Sequence, residues 1–219
     1  MFLRSIWFLA WLAYFAGCVL IVRNSIHDYL PGGTGLFIAD KGDVGDSPWW
    51  RASLHAHIIG GIVCLFAAMP QFSKHLIRRF PSCHRTAGRI YGLSVIGLVA
   101  PTGFHLALFA KGGFLGKFGF LTLAAATLLT TLQGWRHAMS GHRDITGHRA
   151  WMTRSFALVA SAVSFRFLHT IGHLAGVPVE TNYVACLWLS LLGNAAVAEM
   201  VIRLRQPVST PTLQLQTES

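Results

Sequence analysis

Two stretches of this sequence begin His-Arg, turn apolar, and reach a second histidine 21 positions later: His84 to His105 and His148 to His169. At a helical rise of 1.5 Å per residue, that interval covers about 31 Å, the thickness of a bilayer's hydrocarbon core. Each stretch therefore reads as a membrane-crossing helix with an imidazole near each face. In the second, Arg166 interrupts the run from Phe156 onward. A cation at that depth is costly in lipid, so it must face protein or a water-filled cavity and find a partner there.

Composition agrees. Of 219 residues, 53% are hydrophobic and 12% charged, about half the charge of a soluble domain. The formal net charge of +10 does not point to nucleic acid as a partner, because the cations lie in short loops between apolar runs. Six runs are legible: about Ser5–Val22, Ala52–Pro70, the His84 stretch ending before Lys111, Phe118–Trp135, the His148 stretch ending at Ala175, and Tyr183–Arg203. Ala16-Gly17-Cys18 faintly resembles a lipoprotein cleavage site, but Phe15 is bulky for one, and the first run reads as an uncleaved helix. The expected fold is all-α: a single transmembrane domain of six helices over 1–205, with a disordered polar tail over 206–219. Twelve of the 18 cations fall on one side: Arg4, the two loops Gln71–Arg89 and Arg136–Arg154, Arg203 and Arg205. The positive-inside rule then makes both termini cytoplasmic.

Segment 24–52 is the long polar one, with Asp28, Asp40, Asp43 and Asp46. Its Asp spacing does not fit an EF-hand and reads as a solvated turn. Trp49 and Trp50 are expected where the chain re-enters lipid. Cys18, Cys64, Cys83 and Cys186 show no CxxC spacing, hence neither a disulfide framework nor a zinc knuckle. A Ser-His-Asp set, HExxH, P-loop and dinucleotide fingerprint are all missing, which argues against a hydrolase or kinase.

The sequence also repeats itself. Gln71-x-x-Lys74-His75 precedes the first His-Arg stretch and Gln133-x-x-Arg136-His137 precedes the second. Helices two and three thus form one copy of a hairpin and helices four and five another, related by an axis along the membrane normal. Such an axis brings His75 toward His137, His84 toward His148, and His105 toward His169.

Imidazoles facing one another across a bundle suit a b-type haem, whose iron takes two axial nitrogens. The candidate pairs are His84 with His148, and His57 with His169, while Arg89, Arg154 and Arg166 are positioned to meet propionates. His55 and His57, two residues apart, cannot face one site. His169 and His173, at i and i+4, share a helix face. With His57, His84, His105 and His148 they are the candidate ligands for a metal site. The plain alternative for His84 and His148 is a helix anchor at the headgroups.

His84-Arg-Thr-Ala-Gly-Arg-Ile-Tyr91 and His148-Arg-Ala-Trp-Met-Thr-Arg-Ser155 resemble the paired motifs HRxxGRxY and HRxWMxRS of an uncharacterised family of bacterial predicted membrane proteins. The resemblance runs from about His57 to Arg166 and leaves out His105, His169 and His173. It implies a multi-helix inner-membrane protein and carries no activity with it. In architecture the chain is more distantly similar to six-helix transmembrane b-type cytochromes. Three functions compete: haem b electron transfer, exchanging with quinone, a periplasmic donor or another redox partner; a non-catalytic protein that assembles or stabilises a membrane complex; and a metal or small-molecule transporter using the outer histidines. The last has no intramembrane carboxylate except Glu199 to couple protons.

Overall fold

The computed structural model describes residues 2–29, 36–139 and 144–205. The loop at Pro31-Gly32-Gly33, His142, Arg143 and the tail from Gln206 lie outside the described residues, as do the side chains of Arg4 and His75. Six helices are long and apolar enough to cross a membrane: α1 (Phe8–Tyr29), α2 (Pro48–Phe72), α3 (Pro81–Ala107), α4 (Gly113–Met139), α5 (Ile145–Leu174) and α6 (Val179–Arg205). The described residues contain no strand. Phe8, Leu12 and Val19 on α1 and Leu189, Leu192 and Met200 on α6 stand exposed. A belt of that kind is a liability in water and the expected outer surface in lipid.

The helices overrun the apolar stretches that announce them, because hydropathy marks only the part in hydrocarbon. Their ends are set by capping. Ser47 caps α2 by accepting from the Trp50 amide, with Pro48 as the first helical residue. Asp144 caps α5 by accepting from the Gly147 amide at 2.8 Å. Beyond α5, Gly176 at φ 75° takes the left-handed turn that stops the helix, its amide bonded to the His173 carbonyl. The tryptophan expectation is half right. Trp49 is 82% exposed, but Trp50 is 3% exposed and packs inward, since neighbours on a helix point about 100° apart.

Polar contacts tie the helices pairwise. Ser94 donates to the Gly60 carbonyl between α3 and α2 (2.7 Å), and Tyr14 of α1 donates to the Leu65 carbonyl of α2 (3.0 Å). Along α5 and α6, Ser161 donates to the Ser190 carbonyl and Asn194 to the Ala157 carbonyl. Such bonds between membrane helices contribute about 0.6 kcal/mol each. Between α1 and α2, Lys111 pairs with Asp40, Lys41 donates to the Phe109 carbonyl, and Arg51 reaches both Gly45 and Asp46. Lys111 holds the Asp40 carboxyl below the usual range. The aspartate segment is therefore a cover stitched to the α3–α4 turn, and all four cysteines are free thiols.

Candidate functional site

The end of the bundle that carries the two basic loops is built twice over. At the close of α2, the turn Met69–Phe72 presents Gln71, whose amide donates to the His84 carbonyl (3.1 Å) and rests against Gly88. At the close of α4, the Gly134 carbonyl accepts the Nδ1 proton of His148 (2.8 Å), and Met152 rests against Gly134. In each hairpin the motif histidine is thus moored to the end of the preceding helix. The cross-contacts between hairpins correspond as well. Gly92 of α3 lies against the Trp135 ring of α4, and Phe156 of α5 lies 4.6 Å from Phe72 of α2, centre to centre.

No Cα of α3 lies within 8 Å of a Cα of α5, yet their side chains meet. His148 and Arg149 are close enough to act electrostatically on His84. His84 Nδ1 is buried and has no hydrogen-bond partner among the described residues. Two turns deeper, Tyr91 and Ser155, the last residues of the two motifs, are hydrogen-bonded at 2.7 Å, and Ser155 bonds Thr131 of α4 at 2.7 Å. Thr131 donates its proton to the Thr127 carbonyl, so it accepts from Ser155, which in turn accepts from Tyr91. Tyr91 is 1% exposed, and Ser155 and Thr131 are fully buried. One turn deeper still, Val95 and Val159 close the core.

The arginines divide. Arg154 is bound in two-pronged fashion to Glu199 of α6 (2.5 and 3.0 Å) and lies over the Trp151 ring. Arg89 and Arg149 are exposed, and Arg85, also exposed, bonds Ser82. His137 pairs with Asp144 inside its own hairpin, at 2.9 Å.

The opposite end does not repeat. His57 donates its Nδ1 proton to the Val99 carbonyl (3.0 Å), near Thr102. That carbonyl closes a π-turn, Val95–Val99, set just before Pro101, which has no amide proton for an ordinary helical bond. His55 turns to α1 and donates to the Tyr29 carbonyl (3.1 Å), so the two histidines do serve different neighbours. His105 bonds Ser53 (2.8 Å). His169 stacks on Phe165 and meets the edge of Tyr183, while Asn182 holds its carbonyl. His57 and His169 share no hydrogen bond or ring contact, and neither do His105 and His169. His173 is exposed. Arg166 donates to the Ala162 carbonyl of its own helix (3.0 Å) and lies within electrostatic reach of His57, Tyr29 and Tyr183. It lines a cavity of about 210 Å³ between α1 and α5.

A family model described as predicted membrane protein (DUF2306) matches residues 54–202. The chain belongs to the DUF2306 family. No curated protein and no solved structure matches it. The DUF2306 match spans α3, α4 and α5 whole and most of α2 and α6, hence both moored histidines, the Tyr91–Ser155–Thr131 chain, Arg154 and Glu199. It excludes α1, and with it one wall of the Arg166 cavity. Reading motifs singled out His84, His148 and the arginines. It missed Tyr91 and Ser155 as partners, although each stands seven residues after its histidine and so on the same helix face. It also missed Glu199 as the mate of Arg154.

Proposed function

We propose that this DUF2306 protein binds one haem b between α3 and α5 and transfers electrons in a bacterial inner membrane. His84 and His148 would hold it, and both termini are cytoplasmic. The observation that carries the reading is the state of the two imidazoles. They come from corresponding places in the repeat, and His148 is close enough to act electrostatically on His84. With Nδ1 committed to the Gly134 carbonyl, His148 keeps its lone pair on Nε2, the second-shell arrangement that orients ligating histidines. His84 has a buried ring nitrogen with no hydrogen-bond partner among the described residues, at a cost of about 1–3 kcal/mol. A bound haem b would supply one-electron chemistry. The chain's own residues hold the ligands, floor the site with the Tyr91–Ser155–Thr131 chain, and seal it from below with Val95 and Val159. Since Glu199 occupies Arg154, the exposed Arg85, Arg89 and Arg149 are the cations left to meet propionates. The cation count sets the orientation.

A second bis-imidazole site at the other end is not part of the proposal, because His57 bonds the Val99 carbonyl while His169 stacks on Phe165. The metal set of His57, His105, His169 and His173 is likewise left out, since the rings of His57, His105 and His169 each have a different neighbour and His173 is exposed. The test is the visible spectrum of detergent-solubilised, monodisperse protein made in haem-replete cells. A Soret band that sharpens on dithionite reduction, together with a low-spin α-band, is expected. Folded protein without haem absorbance would overturn the reading and favour a role in assembling a partner complex.

A further inference from the structure

We propose that the cavity between α1 and α5 binds the headgroup of a membrane quinone, in either its oxidised or its reduced form. Its place comes first. Phe165 and Arg166 stand eight or nine residues before the end of α5, about 12 Å along the helix. The facing wall, Asn24 to Asp28, belongs to the last turns of α1. The cavity therefore lies in the outer part of the span, at the level of lipid carbonyls, and exposed Asn24 and Arg166 keep it accessible. At about 210 Å³ it falls below the roughly 300–1,000 Å³ of pockets that enclose a drug-sized molecule. It can take one substituted ring whose tail stays in lipid.

Charge narrows the class. Arg166 and Asp28 line the same cavity, so an anion meets the carboxylate and a cation meets the guanidinium. A neutral ligand with both donors and acceptors suits the pair. One Arg166 nitrogen is bonded to the Ala162 carbonyl, and a guanidinium has five N–H donors. With the Asn24 amide it can donate to quinone carbonyls, while Asp28 can accept from quinol hydroxyls. The ring has a wall to lie on: Phe165 and His169 are nearly parallel, with centres 5.7 Å apart, and Tyr183 buttresses Phe165 edge-on at 5.4 Å. The choice of a redox-active ring rests on the electron-transfer reading, but the size, depth and polarity of the cavity do not.

The experiment is equilibrium binding of a short-tailed benzoquinone to monodisperse protein, with no reductant present and haem absorbance recorded separately. One quinone per chain is expected, and Arg166→Gln should weaken binding at least about tenfold, the loss of a charge-assisted hydrogen bond. Lys117→Gln, an exposed cation at the same end and outside the cavity, should bind as wild type. Asp28→Asn should weaken the quinol more than the quinone. Should Arg166→Gln fail to fold, Asn24→Leu and Phe165→Leu carry the same expectation. The proposal is overturned if folded wild-type protein binds no quinone, if the cavity variants bind it unchanged, or if phosphatidylglycerol competes in an Arg166-dependent way, which would assign the cavity to a phosphate headgroup. Quinone binding without a haem spectrum would sink the haem reading and leave this one standing. A haem spectrum without quinone binding would do the reverse.

Discussion

The two ends of the bundle are made from the same repeat and have come apart. At the basic end, His84 is held through its backbone carbonyl and His148 through its ring, each to the end of the preceding helix, Tyr91 answers Ser155, and the Gly92–Trp135 and Phe72–Phe156 contacts correspond between the hairpins. At the far end, α3 carries a π-turn while α5 runs on as regular helix through Arg166. His105 and His169 therefore leave the axis in different company. The cations differ too: Arg154 is neutralised by a carboxylate on a neighbouring helix, whereas Arg166 bonds its own backbone and lines a cavity. A charge committed to a partner reads as architecture, and one left at a cavity wall reads as a place for a ligand.

That contrast can be broken in graded steps. The largest effect is expected from Gly92→Leu, since even a Cβ there collides with the Trp135 ring. Overpacking of this kind costs about 1–3 kcal/mol or more, and the fraction of protein recovered monodisperse should fall steeply. Gly61→Leu, where a Cβ meets nothing within 4 Å, should be recovered as wild type; equal losses would mean that the Gly92 contact is not close. Next comes Glu199→Gln, which leaves Arg154 without its carboxylate and should lower stability in detergent by about 1 kcal/mol, given a partly exposed pair. Arg166→Gln should leave the melting temperature nearly unchanged. If it destabilises as much as Glu199→Gln, the division between architectural and ligand-facing cations is wrong. Tyr91→Phe removes one buried hydrogen bond and should cost about 1 kcal/mol or less, because Ser155 can still reach Thr131. A perturbed haem spectrum in that variant would show that the chain floors the site.

The smallest effect concerns Asp144. The Gly147 amide, bonding its carboxylate, holds the group below the ordinary range, with His137 adding to it. A depressed folded-state value means that the stabilisation is present above about pH 4 and is lost as pH falls through the lower, folded value. Asp144→Asn keeps an oxygen on the cap but does not titrate, so its melting temperature should depend less on pH in that acidic window.

How much of this was legible in the sequence follows from the physics of each feature. Span number was readable because hydropathy and helical rise act locally, and the spacing of the two His-Arg motifs put His84 and His148 in the two basic stretches of the sequence. The outer pairings of His57 and His105 with His169 were not. α3 carries a π-turn before Pro101 where α5 runs as regular helix, so the spacing in one does not transfer to the other. Trp50 was placed at the lipid interface because composition does not say which face of α2 is buried. Glu199 lies 45 residues from Arg154, and no periodicity connects residues on helices that pair only in the fold.

The measurement that bears most directly on the role of the basic end is haem content per folded chain in a panel of single histidine variants. His84→Ala and His148→Ala should each lose the low-spin reduced spectrum. His57→Ala, His105→Ala and His169→Ala should keep it, because their rings are engaged elsewhere. Retention of the spectrum in both basic-end variants, or its loss only when an outer histidine is removed, would contradict the assignment.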